Sequence, residues 1–155
     1  MIDGSHAGLT GHGFGLQYDQ RKRWQSFLAQ GQPNLFEVDL KLRKVQGSTR
    51  SDVTVELYPL VSGKPGTTAL ASATISSALL NTQTFTVVAA PLRYTGLVSG
   101  TRYALVLGQV VPDLACYEWC VKPNDPQESF GKLQGGWVDE SALGDGWFKA
   151  WTTNQ

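Results

Sequence analysis

The chain has 155 residues with 13 basic and 13 acidic side chains, a formal net charge of zero and only 17% charged residues. That is about one domain of sequence. The balanced charge gives no electrostatic footprint for nucleic acid, and no apolar run approaches the roughly 18 residues that a membrane-spanning helix needs. With 17 Gly and 7 Pro the chain must turn often, which suits an all-β fold better than a helical bundle.

Residues 1–22 read as a glycine-rich arm, with glycine at 4, 8, 11, 13 and 15 and no helical or strand-like period. The opening stretch MIDGSHAGLTGHGFG has neither a basic start nor an apolar core, so it does not read as a secretory signal. An arm of this composition takes its order only from what it docks on, either its own domain or a neighbouring subunit. The second domain expected is 23–155.

Strand-like alternation begins at Arg23–Leu28 and is clearest over Leu35–Val45. There Phe36, Val38, Leu40 and Leu42 are expected to point inward, with Glu37, Asp39, Lys41 and Arg43 toward water. After QGSTRSD, Val53, Val55 and Leu57 form the next inward row, ended by Pro59 and the SGKPG turn. Weaker strands are expected at Ala69–Ile75 and Thr84–Ala89, with a short helical turn at SSALLN between them. Tyr103–Leu107 is nearly continuous in apolar residues, as a central strand is. Further strands are expected near Tyr117–Val121, Trp137 and Trp147–Trp151. Eight or nine short strands at this spacing predict a two-sheet antiparallel sandwich of jelly-roll type, carrying an extended N-terminal arm.

Four of the five tryptophans and both cysteines fall within residues 115–151. Sugar binding needs aromatic faces for the apolar side of a pyranose and carboxylates for its hydroxyls. Tyr117, Trp119, Trp137, Trp147 and Trp151 are the candidate faces; Asp125, Glu128, Asp139 and Asp145 are the candidate acceptors. The same aromatic residues would equally serve a core or a covered interface, since Trp147, Lys149 and Trp151 share one strand face opposite Phe148 and Ala150. A calcium site would draw on Asp19, Asp139 and Asp145, although no DxDxDG loop is present and turn-capping serves as well for aspartates of this kind. No other cofactor is indicated. Cys116 and Cys120 are i and i+4, roughly 13 Å apart on an extended strand; they are either thiols or a disulfide that requires a bulge or turn between them.

Catalytic readings fare poorly. His6 and His12 both lie in the arm, which leaves residues 23–155 without the base of a Ser-His-Asp or Cys-His site. GHGFG lacks the strand–turn–helix setting of a phosphate loop, and the adjacent Asp139 and Glu140 would point to opposite faces of a strand.

Several ordered motifs also resemble a known family. They are DQ at 19–20, QSF at 25–27, VTVELYPLVSGKPG at 53–66, GTRYALVL at 100–107, YEW at 117–119, GGW at 135–137 and the D-x-x-F from Asp145 to Phe148. Together they resemble the bacterial extracellular module labelled choice-of-anchor R, a sandwich similar to carbohydrate-binding modules, over residues 19–152. The arm at 1–18 and the cysteines flanking YEW depart from its pattern. The resemblance implies a non-catalytic sandwich of surface proteins, polysaccharide-active enzymes or phage particles. Two functions are expected, the first from the docking arm and the missing signal, and the second, as its alternative, from the aromatic segment and the resemblance. One is a virion component, such as a capsid-decoration or tail protein, whose arm docks on neighbouring subunits at the virion surface. The other is a glycan-binding module of a secreted or cell-surface bacterial protein. Neither involves nucleic acid or a membrane.

Overall fold

A computed structural model describes residues 10–15, 22–45, 51–110, 116–122 and 128–155. Among these the chain is nearly all β, in two antiparallel sheets of seven strands packed face to face. The first sheet holds β1 (Thr10–Gly15), β3 (Asn34–Lys44), β7 (Thr86–Ala90), β8 (Tyr94–Thr95), β10 (Cys116–Lys122), β13 (Asp145–Gly146) and β14 (Phe148–Thr153). The second holds β2 (Lys22–Leu28), β4 (Val53–Val61), β5 (Lys64–Pro65), β6 (Ala71–Ile75), β9 (Arg102–Gln109), β11 (Phe130–Leu133) and β12 (Trp137–Asp139). The chain passes repeatedly from one sheet to the other, as in a jelly roll. A short 3-10 turn at Ser77–Leu79 stands where SSALLN predicts one, capped by the Ser76 hydroxyl.

Period-2 burial explains the main core. Val38, Leu40 and Leu42 from β3 meet Val53, Val55 and Leu57 from β4 and Leu105 and Leu107 from β9, all fully buried. Phe36 does not join them. The register between β14 and β3 slips at Trp151/Thr152, so Leu35 takes the inward place and Phe36 stays 41% exposed. A smaller apolar cluster covers the outer face of the second sheet, where Trp24, Tyr58, Ala104 and Val106 pack with the half-buried Leu60, Ala69 and Trp137. Gly131 lies against Trp24 there: a Cβ would come within 2.5 Å of the indole Nε1.

The arm departs from expectation. Residues 10–15 form a strand of the sandwich itself, antiparallel to β10 from Thr10↔Val121 to Gly15↔Cys116. The alternation is aromatic against glycine: His12 lies edge-on to Phe130 at 6.1 Å and Phe14 stacks on Tyr117 at 5.8 Å. Gly11 and Gly13 take the other face, opposite Cys120 and Glu118. A side chain at Gly11 would collide with Glu118 and with the Phe85 ring, which carries the Arg43 guanidinium 4.4 Å from its centroid while Arg43 pairs with Glu118. Residues 10–15 of the expected arm thus belong to the first sheet. Residues 1–9 lie outside the described residues.

The buried Arg23 side chain ties β1 to the second sheet. Its Nε donates to the Gly13 carbonyl at 3.0 Å, its Nη1 pairs with Glu140 at 2.5 Å, and its guanidinium sits 5.5 Å from the Phe130 centroid. Partial burial, and then the Arg23 charge, hold the His12 pKa below its ordinary value. The unfolded chain therefore binds this proton more readily than the folded one. The His12 contribution is complete above about pH 6.5 and is lost as pH falls through that value toward the lower folded pKa. Denaturant midpoints measured from pH 7.5 down to pH 5 should fall more steeply for the parent chain than for His12→Gln; parallel curves would contradict this.

Candidate functional site

The two sheets do not close against each other everywhere. β11 pairs with β2 only from Lys22 to Gln25, and among the described residues nothing continues that edge past Ser26. Opposite it, β14 pairs as a strand with β3 alone among the described residues. The gap between the second half of β2 and β14 is a groove of about 420 Å³, lined by residues that include Gln25, Phe27, Lys122, Glu128, Asp145 and Phe148. A smaller cleft of about 250 Å³ shares Phe27, Leu28, Gln30 and Ala150 with it and extends it to Thr152. Phe27 and Phe148, 5.8 Å apart, bridge the two sheets across the groove.

Its polar groups are fixed by hydrogen bonds. Gln25 occupies an inward position on β2, fully buried; its Oε1 accepts from the Gly146 amide at 2.8 Å and its Nε2 donates to Asp145 at 3.4 Å. Glu128 accepts from the Ser26 hydroxyl at 2.7 Å and faces Arg102 at 3.7 Å, both through Oε2. Ser26 in turn accepts from the Ser129 amide at 2.7 Å. Lys122 and Lys149 are exposed beside this floor. The GDGW step positions β13. Gly144 has φ +116, a left-handed conformation suited to glycine. Gly146 lies flat on Trp119, where a Cβ would come within 2.5 Å of the indole Cε2.

Of the residues selected from sequence, Glu128 and Asp145 meet in this groove and the aromatic residues do not. Tyr117 and Trp119 are core residues, 1% and 0% exposed, so neither presents a face to a ligand. The strand CYEWCV alternates, and Tyr117, Trp119 and Val121 all take its inward side. Their polar atoms are satisfied internally: the Tyr117 hydroxyl donates to the Ser51 carbonyl and Trp119 Nε1 to the Trp147 carbonyl at 2.9 Å. Trp137 lies on the outer face of the second sheet, 6.1 Å from Tyr58. Trp151 is on the outer face of the first sheet, with Nε1 donating to Asp39 at 2.9 Å and the Lys149 ammonium 3.8 Å from its ring centroid. Trp147 is half-buried, its amide bonded to the Cys120 carbonyl at 2.8 Å. These rings form no common platform.

Asp139 accepts from the Ser141 amide at 2.8 Å and the Ser141 hydroxyl at 2.5 Å, which makes it a turn residue. Asp145 is held by Gln25 instead, and among the described residues no three His, Cys, Asp or Glu side chains gather to hold a metal. Asp19 and Asp125 lie outside the described residues. Cys116 and Cys120 are buried thiols on an unbroken strand, with no disulfide between them. Burial raises the Cys120 pKa against the opposing pull of Lys41 and Arg43, which leaves a poor nucleophile.

Sequence reasoning missed Gln25, Phe27, Lys122, Phe148 and Lys149. Arg23 and Gln25 carried the available signal, as polar residues spaced with Phe27 on the inward side of a strand. No family model, curated protein or solved structure matches this chain.

Proposed function

We propose that this chain is a non-catalytic binding sandwich that takes an extended saccharide in the groove between β2 and β14. The observation that supports it is the pairing of two fixed carboxylates, Glu128 and Asp145, with the half-buried Phe148 ring along an elongated, open cleft. Saccharides present one apolar ring face and many hydroxyls, so they suit an aromatic surface edged by acceptors and lysine donors. Ser26 and Arg102 engage one oxygen of Glu128, and the other oxygen serves a ligand hydroxyl. The resemblance to extracellular sandwich modules suits this reading, which would place the protein on a bacterial surface or a phage particle. The particle-borne reading loses part of its motive, because residues 10–15 pair within their own sandwich.

Screening on an array of bacterial and plant oligosaccharides, followed by titration of the best binder, tests the proposal. Glu128→Gln keeps the Ser26 hydrogen bond but removes the charge, and should weaken binding about tenfold, as loss of a charge-assisted hydrogen bond does. Trp137→Ala, on the outer face of the second sheet and outside the groove lining, should leave affinity unchanged. Binding lost in Trp137→Ala and retained in Glu128→Gln would move the site to the other face.

A further inference from the structure

The slip in register between β14 and β3 builds a second cavity. Trp151 pairs with Glu37 and Thr152 with Leu35, so one step on β14 matches two on β3, and Phe36 is the extra residue. β-Bulges of this kind re-aim a side chain out of its regular place. Leu35 fills the core position at 2% exposure, and Phe36 is turned out to 41%. On the far side of β3, β8 places Tyr94 beside Leu35 and Thr95 beside Asn34. Phe36, Tyr94, Arg93, Asn34, Thr95 and Gln155 line a cavity of about 330 Å³. That is near the lower end of the range for ligand pockets, roughly 300–1,000 Å³, and suits one ring better than a chain.

The side chains of the lining have one sign of charge. Arg93 is exposed, and no ion pair engages it among the described residues. No acidic side chain lines the cavity, whereas the groove carries two. An aromatic wall, one guanidinium and several amide and hydroxyl groups match a ring with an apolar face, hydroxyls and a carboxylate. We propose that this cavity is a second binding site, specific for a uronic acid unit. Phe36 and Tyr94 receive the pyranose face, Arg93 takes the carboxylate, and Asn34, Thr95 and Gln155 take the hydroxyls. The site shares no lining residue with the groove and does not rest on the groove's assignment.

The test is an amide-resolved NMR titration of the full chain with D-galacturonate and D-glucuronate. Galactose, glucose and benzoate serve as comparators. Uronates should shift the amides of Asn34–Phe36, Arg93–Thr95 and Thr153, and bind about tenfold or more tightly than their parent sugars, the margin of a charge-assisted pair. Arg93→Gln should abolish that preference, while Phe36→Ala should weaken uronate and neutral sugar alike. Both side chains are exposed, so both variants should keep the parent spectrum elsewhere. Neutral sugar or benzoate binding as tightly as uronate would overturn the proposal. So would an unaffected Arg93→Gln, or shifts that leave these residues untouched.

Discussion

Trp119→Ala should be the most damaging single substitution, at about 3–5 kcal/mol, the usual cost of emptying a large aromatic from a core. Trp119 is fully buried, meets the edge of Phe130 at 5.9 Å, supports Gly146 on its face and donates to the Trp147 carbonyl. Its loss leaves a cavity between the sheets and an acceptor without its donor. Trp151→Ala makes the contrast, since that ring is 38% exposed and outside the core; its cost should be under about 1 kcal/mol. Thermal or urea unfolding of the two variants decides between a core and a contact role for Trp119. Equal, small effects would mean that Trp119 is not the core residue described.

The second large effect concerns β1. A chain shortened to residues 16–155 should be far less stable than one shortened to 10–155. The shorter form loses Phe14, fully buried against Tyr117, together with the Gly13 carbonyl that accepts from Arg23. It also leaves β10 as an unprotected edge, open to pairing with other chains. Phe14 alone is worth about 3–5 kcal/mol, which corresponds to about 6–20 °C in Tm for a domain of this size. Aggregation of the 16–155 form is expected for the same reason. A docking arm that served only neighbouring subunits would predict the reverse, an intact fold after its removal. Comparable stability of the 16–155 and 10–155 forms would contradict the place given to β1.

The sequence carries the central strands plainly because burial on one face leaves a period-2 record. Val53, Val55 and Leu57 in β4 and Val38, Leu40 and Leu42 in β3 are read correctly from alternation alone. β1 escapes because its outward positions are glycines; a pattern of Gly-His-Gly-Phe-Gly has no polar residue to mark the solvent side. Phe36 escapes for another reason. Its orientation depends on a register slip against β14, a partner more than a hundred residues away, and nothing local to Leu35–Glu37 encodes that slip.

The candidate site was legible in part. Glu128 and Asp145 stand out as carboxylates in a turn-rich segment, but the tryptophans around them drew the reading toward an aromatic platform. In the fold, successive aromatic residues are distributed to the core, to the two outer faces and to the region around β13. Strand alternation and sheet order separate residues that are close in sequence. The partners of Glu128 and Asp145 come instead from β2, where Ser26 and Gln25 lie about a hundred residues away.

The most direct measurement is an amide-resolved titration of the parent chain with the saccharide that binds best. Shifts confined to Gln25–Gln30, Lys122, Glu128 and Asp145–Ala150 are the expected result and would place the ligand in the groove between β2 and β14. Shifts centred on Trp137, Tyr58 and Leu60, or no saccharide-dependent shift in the groove, would contradict the account.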